Sequence, residues 1–263
     1  MNFKDHFSNH AGLYAKARPH YPDALFDWIA AEAPARGCAW DAGCGNGQAS
    51  VALAQRFERV IATDPSAQQL GNAVAHPRVE YRNEPRDFPA QDGGGYPTSI
   101  EARSVDAVTV AQALHWFDLP AFITEVRRVA KPGALFAAWC YANCSVTPAV
   151  DAVIAHLYDD VLGAYWSPER RLVDEGYASL DIPFARNTAP AFEMRVDWTA
   201  QQLLAYLTSW SAAQHYFKAT GHDAIAAVAD ELLAAWHAPA HVRPVRWTLA
   251  IRAGRVPQER PGT

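Results

Sequence analysis

Apolar positions follow a helical rhythm over residues 23–33, where Asp23 to Ala33 is predicted as a helix stopped by Pro34 and Gly37. A short apolar strand, Cys38 to Asp41, follows and runs into a glycine-rich turn. Gln48 to Arg56 reads as the next helix and Val60 to Asp64 as a second buried strand. Ser66-Ala67-Gln68-Gln69 has the spacing of a capping box and starts another helix. Val79 to Arg82 is a weaker third strand, and Gln91 to Thr98, with three glycines in a row, is a loop. Val105 to Ala111 is a strong strand, Ala121 to Val129 a helix stopped by Lys131-Pro132-Gly133, and Leu135 to Cys140 a further strand. Strands alternating with helices at this spacing predict an α/β fold, a doubly wound, mostly parallel sheet with helices on both faces.

The rhythm changes after about residue 144. Helical patterns over Ala149 to Leu162, Ala200 to Thr208 and Asp223 to Trp236 surround an irregular, aromatic-rich section. Phe192 to Trp198 and Val245 to Arg252 alternate as late strands. The pattern therefore divides the chain into residues 1–144, the α/β core, and residues 145–263. The second part reads as a helical substrate lid plus the last two strands of the same sheet.

Half of the residues are apolar, 19% are charged and the formal net charge is −5, with Lys and Arg scattered. That balance fits a globular protein and speaks against a nucleic-acid partner, which calls for a basic stripe. No run approaches the roughly 18 apolar residues of a membrane span, so no membrane association is expected. The first residues hold no apolar signal core, and the chain reads as cytoplasmic. Cys38, Cys44, Cys140 and Cys144 form no C-x-x-C pair, so neither a metal site nor a disulfide is expected. Nothing in the sequence sets an oligomeric state.

Candidate chemistry concentrates in Trp40-Asp41-Ala42-Gly43-Cys44-Gly45-Asn46-Gly47. A strand ends in a carboxylate, and glycines at alternate positions let a ligand press against the backbone. The turn opens a helix, and the second strand ends in Asp64, a carboxylate suited to both ribose hydroxyls of an adenosine. The dinucleotide fingerprint is G-x-G-x-x-G, whereas the spacing here is G-x-G-x-G. Asp41 would repel a pyrophosphate but suits a ligand carrying an ammonium. S-adenosylmethionine has an ammonium, a sulfonium and no phosphate, so it is favoured over NAD.

These residues, with strand-terminal Thr63-Asp64-Pro65-Ser66, resemble the class I S-adenosylmethionine-dependent methyltransferases. Further stretches are similar to the methyltransferase type 11 group that includes trans-aconitate methyltransferase-like proteins. They are Tyr14, Arg18-Pro19 and Tyr21-Pro22; Ala111-Gln112-Ala113-Leu114-His115-Trp116-Phe117; Tyr165-Trp166; Val173-Asp174-Glu175-Gly176-Tyr177; and Tyr206 to Ala212. The resemblance implies a Rossmann-like, mostly parallel seven-stranded sheet with a helical lid insertion, residues 1–144 as the cofactor-binding Rossmann-like core with an N-terminal gate, and methyl transfer to a small-molecule acceptor. It implies cofactor contacts from Tyr14, Arg18, Asp41, Gly43, Gly45, Gly47, Asp64, Pro65, Asp87, Phe88 and Gln112, with Glu84 as the alternative to Asp87. Substrate contacts fall to His115, Trp116, Trp166, Arg170, Tyr177, Trp210 and Tyr216, although the aromatic members equally suit a packed lid core. His115 is the candidate base for a phenol or amine acceptor, while a carboxylic acid, the acceptor favoured here, needs none. A protein of this fold that binds the cofactor without methylating is the other reading.

Overall fold

The computed structural model describes residues 19–84 and 98–257 and divides into two compact units. The first is built from Tyr21–Tyr141, Arg171–Phe192 and the chain from Leu249 onward, the second from Ala142–Arg170 and Glu193–Thr248.

In the first unit, helix α1 (Asp23–Glu32) precedes β1 (Cys38–Ala42), α2 (Gln48–Ala54) and β2 (Arg59–Asp64). Then come α3 (Ala67–Gly71), β3 (Val79–Asn83), β4 (Val105–Ala111), α4 (Leu119–Val129) and β5 (Ala130–Cys140). A short helix, α5 (Arg170–Asp174), leads toward the small strand β6 (Ala185–Asn187). The last strand of the chain, Ala250–Arg255, also belongs to this sheet, whose seven strands run β3-β2-β1-β4-β5, then Ala250–Arg255, then β6. The first five are parallel, and Ala250–Arg255 is antiparallel to both its neighbours.

Burial explains the order. Six of the seven β4 residues are buried, as a strand covered on both faces requires. Trp40, Val108, Val110, Phe122, Val126 and Phe136 meet in one apolar cluster. Phe122 comes from α4, whose apolar residues Phe122, Ile123, Val126 and Val129 share one face. Truncating Phe122 to Ala would cost about 3–5 kcal/mol. Helix α4 begins two residues earlier than its apolar pattern suggested because Asp118 caps it, accepting from the Ala121 N–H at 3.1 Å. Lys131-Pro132-Gly133, expected as a helix stop, lies inside β5. Lys131 reaches back at 2.7 Å to Asp106, whose other oxygen accepts the Cys38 N–H at 2.9 Å, so these residues pin neighbouring strand starts.

The second unit holds helices over Pro148–His156, Ala200–Thr208, Ser211–Thr220 and Ala229–Trp236, here α6 to α9. Its two strands, β7 (Glu193–Trp198) and β8 (Arg243–Thr248), pair antiparallel with each other. This corrects the expectation that the last two predicted strands extend the main sheet. The predicted strand Val245 to Arg252 is two strands broken at Leu249: β8 pairs with β7, and only β9 (Ala250–Arg255) joins the large sheet. Continuous alternation hides the break because both halves are half-buried, and the backbone changes partner where the Leu249 N–H donates to the Phe192 carbonyl at 3.0 Å. Helix α8 and strand β6 were not expected; α8 buries only Ala212 and Ala213, which gives it little apolar signature.

Candidate functional site

The carboxyl ends of the parallel strands carry the chemistry, as open α/β sheets dictate. Asp41, on β1, is fully buried and sits in register with Thr109 on β4. Its carboxylate accepts Ser50 Oγ at 2.6 Å and Thr109 Oγ1 at 3.1 Å. Burial pushes its pKa up to about 6, against the pull of those two hydrogen bonds, and the nearby Asp64 carboxylate pushes the same way. Ser50 and Thr109 were not singled out from the sequence. Only the strand register and the first turn of α2 bring them to Asp41.

Gly43, Gly45 and Gly47 all have positive φ, at 68°, 56° and 81°. Their reasons differ. A Cβ on Gly43 would stand 2.8 Å from the Ala113 side chain, and one on Gly47 would run into the Tyr81 ring, 2.8 Å from Cε1. Those two glycines permit packing. A Cβ on Gly45 meets nothing within 4 Å among the described residues, so its α-carbon faces open space there. The Gly45 N–H donates at 2.8 Å to Asp64 Oδ2, while Asp64 Oδ1 accepts the Ser66 N–H at 2.8 Å. Asp64 is thereby oriented by the turn it faces. Ser66 also caps α3 through Gln69, and Pro65 is exposed.

Around the end of β4, Gln112, expected as a cofactor contact, is bonded to the neighbouring strand end. Its amide donates to the Tyr141 carbonyl at 3.0 Å and accepts the Tyr141 N–H at 2.8 Å. Gln112 therefore ties the ends of β4 and β5 together, with its backbone at a positive φ of 54°. The next turn carries His115, half-buried, and Trp116, 43% exposed, with ring centroids 4.7 Å apart. Nδ1 of His115 lies 3.0 Å from the hydroxyl of Tyr177, which is fully buried. Arg252 on β9 donates to the Tyr177 carbonyl at 2.6 Å, which fixes this residue at a positive φ of 60°. Tyr21 and Trp139 share this end of the sheet, their ring centroids 5.5 Å apart. Tyr21 entered the sequence reading only as part of a resemblance and Trp139 not at all, because an indole within an apolar run gives no sign of chemistry.

In the second unit Trp166, Arg170 and Trp210 come together around Tyr158. The Arg170 guanidinium lies over Trp166 and Tyr158, 4.8 and 5.4 Å from their ring centroids, and its Nε donates to the Tyr158 hydroxyl at 2.9 Å. Trp166 donates to the Tyr158 carbonyl at 3.1 Å, and Trp210 packs 5.5 Å from Trp166. Tyr216 pairs instead with Tyr165, 5.0 Å away. Tyr14, Arg18, Asp87 and Phe88 lie outside the described residues. Glu84, the alternative to Asp87, accepts the Ser99 N–H and hydroxyl.

Among the described residues no group of His, Cys, Asp or Glu is placed to hold a metal ion, and no helix is long and apolar enough to cross a membrane. The cofactor weighed from sequence fits what is present. A neutral or cationic ligand can approach Gly45 beside Asp64, whereas a pyrophosphate there would meet that carboxylate.

Residues 40–138 match a family model described as a methyltransferase domain. A Dictyostelium discoideum protein assigned as a methyltransferase is 32% identical over 89% of this chain and 87% of its own length. A Saccharomyces cerevisiae protein assigned as an S-adenosylmethionine-dependent methyltransferase is 28% identical over 60% of this chain and 56% of its own. A solved structure from Anaeromyxobacter dehalogenans, assigned as a type II methyltransferase, superposes with a TM-score of 0.82 at 47% identity. It covers 92% of this chain and 99% of its own.

Proposed function

This chain belongs to the class I S-adenosylmethionine-dependent methyltransferases, and we propose that it methylates a small organic molecule, with a carboxylic acid as the acceptor. The observation that supports the cofactor half is the open space before Gly45, whose N–H donates to Asp64 at the end of the neighbouring strand. S-adenosylmethionine supplies a methyl group already activated on a positive sulfonium.

Asp41 suits the ammonium of the methionine portion, because an ionised carboxylate in a buried position gains most from a cation. Asp64, oriented by two backbone N–H groups, keeps further lone pairs for the ribose hydroxyls. Gly43, Gly45 and Gly47 shape the wall between them, and Pro65 is assigned to the adenine side. Tyr14, Arg18, Asp87 and Phe88 complete this assignment on the strength of the sequence resemblance alone.

For the acceptor, the His115–Tyr177 pair supports positioning. The hydroxyl and the imidazole hold each other, and a carboxylate nucleophile is competent once ionised, so no proton need be removed. The chain's task is then alignment and exclusion of water. Residues 142–170 and 193–248 are assigned to acceptor selection.

A transfer screen over small carboxylic acids, phenols and amines tests the proposal, with S-adenosylhomocysteine formed as the readout. Methyl ester formation on at least one acid is expected. Turnover confined to amines or phenols would overturn the acid assignment, and NAD binding in preference to S-adenosylhomocysteine would overturn the cofactor assignment.

A further inference from the structure

The far edge of the large sheet, beyond β9, holds a pocket of about 140 Å³. Strand β6 pairs with β9 as far as Asn187↔Ala253, and the two segments meet again where the Leu249 N–H donates to the Phe192 carbonyl. Pro190, which has no N–H to give, lies in the stretch between, and there the backbones part. Pockets for drug-sized ligands run to roughly 300–1,000 Å³, so this one takes a small molecule. Arg186, Thr188 and Arg252 line it, with Ile182, Phe184 and Ile251 as an apolar wall, and no acidic residue does among the described ones. Arg186 stands opposite Gly254, two residues from Arg252, so the two arginines share one face of the sheet as diagonal neighbours. Phe184 is on that face too, since a Cβ on Gly254 would stand 2.7 Å from the Phe184 Cβ. Arg252 donates to the carbonyls of Tyr177, Ala178 and Leu180, at 2.6, 3.0 and 3.1 Å. Those bonds fix the guanidinium and leave its other N–H groups without an acceptor among the described residues. Arg186 is exposed and pairs with no described acid. Glu32 bonds Asn187 at 2.7 Å, on the opposite face of β6, and is neutralised by Arg255 at 2.8 Å. Two like charges side by side, with no acid between them, suit an anion.

We propose that this pocket binds a short aliphatic carboxylate, held at its two oxygens by Arg186 and Arg252 and along its chain by Ile182, Phe184 and Ile251. The planar fork of a guanidinium matches the two oxygens of a carboxylate. The apolar wall favours an acid with an alkyl chain over a bare inorganic anion, which would give up hydration and bury no apolar surface in return. The site goes beyond the methyl-transfer reading and does not rest on it, for β4 and β5 lie between β9 and β1. One residue is shared with the acceptor end. Arg252 also holds the carbonyl of Tyr177, whose hydroxyl meets His115.

Protein labelled with ¹³C at its isoleucine methyl groups tests this by NMR titration. Butyrate is the probe, with butylammonium and inorganic phosphate as controls. Ile182→Val and Ile251→Val identify the two resonances, and through-bond assignment does so if either variant fails to fold. With butyrate, the Ile182 and Ile251 methyl groups should shift together and saturate on one binding curve. Butylammonium should leave them in place. Arg186→Gln should weaken butyrate by about threefold to tenfold, and the charge reversal Arg186→Glu should abolish the shifts. Arg186 is exposed and pairs with no described acid, so both variants keep the fold. Unmoved Ile182 and Ile251 methyl groups would overturn the proposal, as would shifts that survive Arg186→Glu. Equal shifts with butylammonium would remove the arginines from the site. Phosphate binding as tightly as butyrate would remove the apolar wall, and with it the assignment to an aliphatic acid.

Discussion

The hydroxyl of Tyr177 stands 3.0 Å from Nδ1 of His115, 62 residues away in the chain. Tyr177 is fully buried, and its own carbonyl is held by Arg252. The imidazole is therefore fixed by a residue that is itself fixed, which is the arrangement needed to position a substrate.

That pairing sets the first expectation. With a carboxylate acceptor, His115→Asn and His115→Ala should raise KM more than they lower kcat, with kcat falling by less than about tenfold. General-base catalysis would instead cost about 10²–10⁴ in kcat. Steady-state kinetics of both variants on a confirmed acceptor separate the two roles, and Tyr177→Phe should reproduce part of the KM effect.

Asp41 predicts a trade between stability and binding. Its pKa of about 6 lies above the ordinary 3.8, so the folded state holds a proton that the unfolded state has lost between those values. Stability from this group is full below about pH 4, falls as pH rises toward 6 and is level above. The loss by neutral pH is about 3 kcal/mol. Asp41→Asn should raise the melting temperature at pH 7.5 more than at pH 4.5, while weakening S-adenosylhomocysteine. Equal effects at both pH values would show that Asp41 is not protonated in the fold.

The glycines should separate into two kinds. Gly45→Ala carries the strain of a positive φ, about 1–2 kcal/mol, and places a methyl group in open space. It should lower S-adenosylhomocysteine affinity by more than it lowers stability. Gly47→Ala adds a collision with Tyr81 and should chiefly destabilise. Thermal melts and calorimetric titration on the two variants give the comparison, and equal loss of affinity per degree of melting would contradict it.

Gln112 offers the sharpest contrast with its sequence reading. Gln112→Ala removes both hydrogen bonds to Tyr141 and should cost about 1–3 kcal/mol of stability. Cofactor affinity should change by less than about threefold, since its side chain faces the strand junction. A large fall in affinity with little loss of stability would return Gln112 to the cofactor site.

The sheet from β1 to β5 was legible because each buried strand is an apolar run and each helix shows one face, as β4 and α4 do. The glycine turn was legible because positive φ selects glycine, and Asp41 and Asp64 because a carboxylate closing a buried strand stands out from its surroundings. Those are properties of neighbours in the chain.

Tertiary structure decided the rest. Which late strands share the large sheet depends on pairing, and alternation across Leu249 is the same whether the backbone keeps its partner or changes it. Ser50 and Thr109 acquire meaning only through the register that sets them on Asp41, and Gln112 through its reach to Tyr141. The sequence could mark the three glycines alike; only the space in front of each separates Gly45, which faces none of the described residues, from Gly43 and Gly47, which face Ala113 and Tyr81.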